Sequence, residues 1–201
     1  MNFRSIALLA GTTALLGGCN YQGVPDPSVS TKDAQYLALV PTVETNVQFE
    51  RYRIDDPTGE PAGTIVVDTK DKYLYFVEPG RKAIRYGVAT GQEAYGWTGI
   101  AKVGRKAEWP HWMPPADMLK RWPHLQPTAN AGGLPGGPDN PLGSRALYLY
   151  AGNKDTMYRI HGTNEPESIG RGVSSGCIRL RDIDAIDLYN RVKVGTKVVV
   201  K

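Results

Sequence analysis

A histidine and a cysteine stand sixteen residues apart toward the C-terminal end of the chain, each in a setting that suits chemistry. His161 closes the alternating run Met157-Tyr158-Arg159-Ile160, so it is expected where a strand becomes a loop. Cys177 follows Ser174-Ser175-Gly176 and opens a second short apolar run. Sixteen residues are ample for a loop that folds back and brings two strand ends together. An imidazole beside a thiol lowers the thiol pKa and raises the thiolate fraction, as a cysteine nucleophile requires. Gly176 permits a backbone conformation that other residues resist. The N–H groups of Gly176 and Cys177 could then face a developing oxyanion. Arg179 lies two residues beyond the cysteine, and on a strand it would share the same face. Two uses of that arginine stay open: pairing with a substrate carboxylate, or a structural ion pair with Asp182 or Asp184.

The elements that must position these groups are mostly strands. Ile65-Val66-Val67 and Tyr73-Leu74-Tyr75-Phe76-Val77 are β-branched and aromatic runs separated by the turn Asp68 to Lys72, and Glu78-Pro79-Gly80 turns again into Ala83 to Ala89. Leu147 to Ala151 and Met157 to Ile160 form a further pair around Gly152 to Asp155, and Val198-Val199-Val200 is a last strand. One helix stands out: Asp182 can cap it, and Ile183, Ile186, Leu188, Tyr189 and Val192 supply an apolar face. Thr31 to Val40 suits a short helix, and Tyr52 to Gly63 is turn-rich and polar.

Between the strands, Gly104 to Ser144 has no sustained period and holds Trp109, Trp112, Trp122 and eight of the fifteen prolines. A segment this long in a compact domain covers a site or is disordered, and its aromatics argue against disorder. A short helix is expected after Pro114-Pro115, with proline in its first turn. The tryptophans either wall a binding site or pack the loop onto the sheet, and packing is favoured. His111 and His124 lack the paired spacing of a metal site, so no metal is expected. The segment Gly136 to Gly143 carries turn chemistry and no phosphate cradle.

The N-terminus reads as an export signal. Arg4 precedes an apolar stretch from Ile6 to Leu16, about half the roughly 20 residues of a spanning helix and suited to a signal peptide. It ends in Leu16-Gly17-Gly18-Cys19, which looks like a lipobox, with Cys19 as the lipidated residue of the processed chain; Asn20 after it resembles lipoproteins sent to the outer membrane. Residues 1–18 are then the signal peptide, 19–62 a tether and N-terminal extension, and 63–201 the working domain. The expected location is the periplasm, with the chain anchored through Cys19. With Cys19 lipidated, Cys177 is the one free thiol in an oxidising compartment, which makes it inert and buried, an intermolecular partner, or reactive. A net charge of +4 is mildly basic, and no lysine or arginine run marks a nucleic-acid partner.

His161-Gly162-Thr163 and Ser174-Ser175-Gly176-Cys177-Ile178-Arg179 resemble the two ends of the L,D-transpeptidase (YkuD) signature, and the likeness extends over about residues 63 to 201. The resemblance implies a mainly β domain, a β-sandwich-like mixed sheet with one or two short helices and a long covering loop. It implies Cys177 as nucleophile, His161 as base, and a backbone carbonyl at or near Gly162 that orients the imidazole. It implies no cofactor, peptidoglycan stem peptides as substrate, and attack on the bond between diaminopimelate and a terminal D-alanine. The acyl group would pass to an amine on a second stem, or on an outer-membrane protein. Ser175 stands where many relatives have histidine. Thr163, Ser174, Ser175 and Arg179 are the remaining candidates for substrate contact, or they satisfy loop backbone. A hydrolase on the same scaffold and a silent wall-binding module are the competing readings.

Overall fold

The computed structural model describes residues 21–91, 97–174 and 176–201; the leader, Cys19 and Ser175 lie outside them. In chain order the strands are β1 (Gln22–Gly23), β2 (Tyr52–Asp55), β3 (Ile65–Asp68), β4 (Tyr73–Glu78), β5 (Lys82–Gly87), β6 (Thr90–Gly91), β7 (Gly99–Glu108), β8 (Arg145–Ala151), β9 (Lys154–His161), β10 (Gly172–Ser174), β11 (Ile178–Arg179) and β12 (Lys197–Val200). The helices are α1 (Thr31–Leu37), α2 (Ala116–Arg121), α3 (Gln126–Asn130) and α4 (Asp182–Arg191).

Ten strands form one mixed sheet in the order β1-β2-β5-β4-β3-β12-β7-β8-β9-β11, and β6 pairs with β10 apart from it. Strands β3, β4 and β5 make the expected meander. Asp68 tightens its first turn by accepting from the amides of Lys70 and Asp71 at 3.1 and 3.0 Å. The C-terminal β12 then inserts between β3, parallel, and β7, antiparallel, and joins the two halves of the sheet. Ile65, Leu74 and Ile84 from one half share a single buried cluster with Val103, Leu149 and Ile160 from the other. The sheet therefore curls around one core. Each such side chain contributes about 1.5–3 kcal/mol by leaving water. Leu188 and Val192 carry α4 into the same cluster.

Several expectations change. The mainly β class with few short helices holds, but the covering segment carries two of the four helices where one was expected. That segment starts after β7, whose ten residues run to Glu108. Alternation there is hidden: Ala101 and Val103 face the core, between Lys102 and a bulge at Gly104 where a Cβ would lie 2.2 Å from the Tyr150 ring. Asp182 does not cap α4. Arg181 is the N-cap, with no side-chain bond, and Asp182 is the first helical residue. At the other end Lys106 Nζ donates to the carbonyls of Tyr189 and Val192, both at 2.6 Å, and so takes the place of a C-terminal cap.

The segment expected as tether and extension is part of the folded body from residue 21 onward. The buried Arg51 donates to Asp184 at 2.6 Å and to Asp26 at 2.7 Å, tying the N-terminal strap to α4. Asp33, inside α1 and 2% exposed, accepts both Arg145 guanidinium nitrogens at 2.8 Å and Trp109 Nε1 at 2.8 Å. Trp109 also meets Tyr36 edge to face, so that tryptophan packs, as favoured above. Among the described residues no helix is long and apolar enough to cross a membrane.

Candidate active site

Strand β11 pairs in parallel with β9, matching Ile178 to Ile160 and Arg179 to His161. One step earlier in that register, Cys177 falls opposite Arg159, diagonal to His161 on the same face; such positions are roughly 6–8 Å apart. The loop between the two thus folds back as expected. Its end is fixed from the far side as well. Arg179 exchanges two backbone hydrogen bonds with Ala89, at 2.8 and 2.9 Å, so β11 is gripped on both edges.

Gly176 is buried with φ of 123°, a conformation that side-chain-bearing residues rarely adopt, so the residue before the cysteine must be glycine. Cys177 itself is partly exposed. Burial around its sulfur pushes the thiol pKa up, against a backbone hydrogen bond from Arg159 and the positive charges of Arg159 and Arg179, which pull it down.

His161 Nδ1 lies 2.6 Å from the Gly162 carbonyl oxygen. A carbonyl only accepts, so Nδ1 carries the proton and Nε2 is the accepting nitrogen. Burial, with help from the nearby Arg179, lowers the imidazole pKa to about 3, although the Gly162 bond opposes that shift. Burial therefore works against the charged form of both the imidazole and the thiol. The sequence suggested a standing thiolate; burial opposes one, while the charges of Arg159 and Arg179 favour it. Such a pair can still transfer its proton as the sulfur attacks.

Asp182 underlies this corner and was missed, because an aspartate at a helix start reads first as a cap. Its Oδ1 accepts the Ser144 amide at 2.6 Å, while Ser144 Oγ donates to its carbonyl at 3.2 Å. A Cβ on Gly162 would lie 1.9 Å from that same Oδ1, and one on Gly143 2.3 Å. Both glycines are needed for this close approach. Burial raises the Asp182 pKa to about 6, against hydrogen bonds from Ser144 and Thr163. The carboxyl thus secures the residues on both sides of the carbonyl that orients His161.

Arg179 pairs with Glu165 at 2.6 Å, not with Asp182 or Asp184. Asp184 is taken by Arg51 and Arg181. Thr163 is buried, and its hydroxyl accepts the Glu165 amide at 3.0 Å, a loop-backbone contact. Ser174 lies in β10, and Ser175 is outside the described residues. His111 and His124 are exposed on separate elements, and among the described residues no three His, Cys, Asp or Glu side chains are grouped to hold a metal.

The model of the YkuD L,D-transpeptidase catalytic domain matches residues 62–200. The chain belongs to that family. A YkuD-family protein of Escherichia coli named Probable L,D-transpeptidase YcfS is 37% identical over 69% of this chain and 43% of its own length. Probable L,D-transpeptidase ErfK/SrfK of Salmonella typhimurium is 36% identical over 67% of this chain and 42% of its own length. This YkuD-family chain thus spans less than half the length of those relatives. A solved Brucella melitensis chain described as a probable carnitine operon oxidoreductase is 46% identical over 78% of this chain and 96% of that one, with a TM-score of 0.53. The Ldtfm-avibactam carbamoyl enzyme, 18% identical over 71% of this chain and 49% of that one, has a TM-score of 0.51 and shares the fold.

Proposed function

We propose that the protein is a peptidoglycan L,D-transpeptidase whose acyl-enzyme forms on Cys177. The observation that carries this reading is the pairing of β11 with β9, which sets Cys177 diagonal to a histidine whose Nδ1 is held by the Gly162 carbonyl. As Sγ attacks the carbonyl carbon between diaminopimelate and D-alanine, its proton moves to His161 Nε2. The backbone amides of Gly176 and Cys177 receive the oxyanion. Collapse breaks the C–N bond, the imidazolium returns its proton to the leaving D-alanine amine, and a thioester remains. An acceptor amine then attacks the thioester, passes a proton to His161, and frees the sulfur. Arg179, Ser174 and Ser175 are assigned to the walls around the donor peptide, with Thr163 buried behind them against the loop backbone.

Cys19 is the lipid attachment point in this proposal, with residues 1–18 removed and the domain held in the periplasm at the outer membrane. The acceptor is a second stem peptide or a lysine of an outer-membrane protein. Loss of labelled fatty acid from Cys19→Ala would test the anchor.

The activity is tested by incubating the protein with tetrapeptide muropeptides and identifying products by mass. A cross-linked dimer lacking one D-alanine is expected, while a tripeptide monomer alone would mean a hydrolase. His161→Gln should lower kcat/KM by about 10²–10⁴ with the fold retained, the span of a general base. Unchanged turnover in that variant would overturn the assignment.

A further inference from the structure

The register that places Cys177 opposite Arg159 continues across the sheet. Arg159 pairs with Tyr148 on β8, and Tyr148 pairs with Arg105 on β7. Paired residues share a face, so a thiol, a guanidinium, a phenol ring and a second guanidinium form one row. The ring lies between the two cations: the Arg105 guanidinium carbon is 3.4 Å from its centroid and that of Arg159 is 4.4 Å away. This stacking leaves Tyr148 only 7% exposed. It also fixes the Arg105 head group, since a planar guanidinium stacked on a ring keeps its edge N–H groups free for an anion.

The two arginines differ in what they have left to offer. Arg159 is committed, with both Asp155 oxygens at 2.7 and 3.0 Å and the Tyr158 carbonyl at 2.9 Å. Arg105 is exposed and makes no ion pair among the described residues. In this corner the three arginines 105, 159 and 179 face the carboxylates of Asp155 and Glu165, which leaves the charge of Arg105 in surplus.

We propose that Arg105, stacked on Tyr148, is a carboxylate-binding subsite for the acyl-donor peptide, upstream of the bond cut at Cys177. Neighbouring strands lie ~4.8 Å apart, so two to three spacings put the guanidinium about 10–14 Å from the cysteine along the row. Two to three extended residues at ~3.4 Å each, plus a contact of ~3 Å, cover that distance. The inference rests on the transpeptidase reading and names the feature of the stem by which the donor is chosen.

Binding separates the two ideas. Two synthetic stem tetrapeptides, differing only in whether the carboxylate on the residue before diaminopimelate is free or amidated, are titrated against the full chain carrying Cys177→Ser. The free acid should bind about tenfold tighter, the scale of one charge-assisted hydrogen bond. Arg105→Gln should erase that preference and leave the amidated peptide unaffected, and Arg105→Lys should restore part of it. Equal affinity for both peptides, or an equal loss for both in Arg105→Gln, would overturn the subsite. Discrimination in binding without turnover by the protein with Cys177 intact would support the subsite and count against the transpeptidase reading alone.

Discussion

The chemical edge of the sheet, residues 161–179, and the covering segment, residues 109–144, are held in place by different means. The edge is set by main chain. Leu180 donates to the His161 carbonyl at 2.8 Å, Gly162 to that of Arg145 at 2.9 Å, and Gly170 to that of Val88 at 3.0 Å. Side chains add to it at Ile178, which enters the core, and at Thr163 and Ser168, whose hydroxyls bond loop backbone. Beyond main-chain bonds from Trp109 to Ser144 and between Trp112 and Leu134, the covering segment hangs on a few polar side chains. Asn140, 1% exposed, donates to the carbonyls of Pro110, Leu134 and Pro135 at 3.0–3.1 Å and accepts the Leu142 amide. Asp33 anchors both ends of that segment through Trp109 and Arg145. A reactive pair can thus be altered without unfolding the edge that presents it, whereas the cover is exposed to single substitutions far from the chemistry.

Asp33→Ala is the sharpest way to break that contrast. Burial penalises the Asp33 carboxylate, yet hydrogen bonds from Arg145, Trp109 and Ser30 hold its pKa well below the ordinary range. Removing it leaves the Arg145 guanidinium buried without a counter-charge, which costs about 3–5 kcal/mol. For a chain of this size that is a fall in Tm of roughly 6–20 °C. The bond from Gly162 to Arg145 uses the Arg145 main-chain carbonyl and not its side chain, so kcat at 25 °C should change less than threefold while KM rises. A loss of kcat matching that of His161→Gln would show that cover and edge are one unit.

How much of this was legible in sequence follows the same division. His161, Cys177 and Gly176 lie in two short runs whose local spacing sets their placement, and the β-branched runs of β3, β4 and β12 declared themselves. The order of the sheet did not: nothing local says that Val198–Val200 will insert between Ile65–Val67 and Gly99–Ala101. Asp33 and Arg145 are 112 residues apart, and neither has a pattern that announces burial. Arg159 was within reach. The alternation that put Arg179 on the face of Cys177 also puts Arg159 on the face of His161, two residues earlier on β9. Glu165 as partner to Arg179 was not readable, since loop residues 162–170 have no period to place them.

Asp182 lies where the two regions meet, and pH should reveal it. Its native pKa of about 6 is above the unfolded value near 3.9. The native state then binds the extra proton between those values, so this group makes stability fall as pH rises from 4 to 6. His161 has the opposite sign: its native pKa of about 3 is below the unfolded value near 6.5, so stability falls as pH drops through that window. In the parent the two slopes offset each other. Asp182→Asn keeps an oxygen for the Ser144 amide and removes only one slope. Its stability should therefore rise relative to the parent's between pH 4 and 6, by up to about 1.4 kcal/mol per unit. Urea melts at pH 4, 5 and 6 measure this, and parallel curves for variant and parent would contradict it.

The smallest effect sharpens the comparison from the side of the edge. Glu165 is half exposed and its pair with Arg179 adds little stability, about 0–1 kcal/mol for an exposed ion pair. Its influence should instead be electrostatic. Arg179 already pulls the Cys177 pKa down against the burial that raises it, and Glu165 offsets part of that positive charge. Glu165→Gln keeps the shape, removes the offset, and should raise the thiolate fraction. Alkylation of Cys177 by iodoacetamide at pH 8 should then run about two- to threefold faster, because only the thiolate reacts. The Tm should not move. An unaltered alkylation rate would mean that solvent already screens the pair, leaving the charges of Arg159 and Arg179 as the ones that set the readiness of the sulfur.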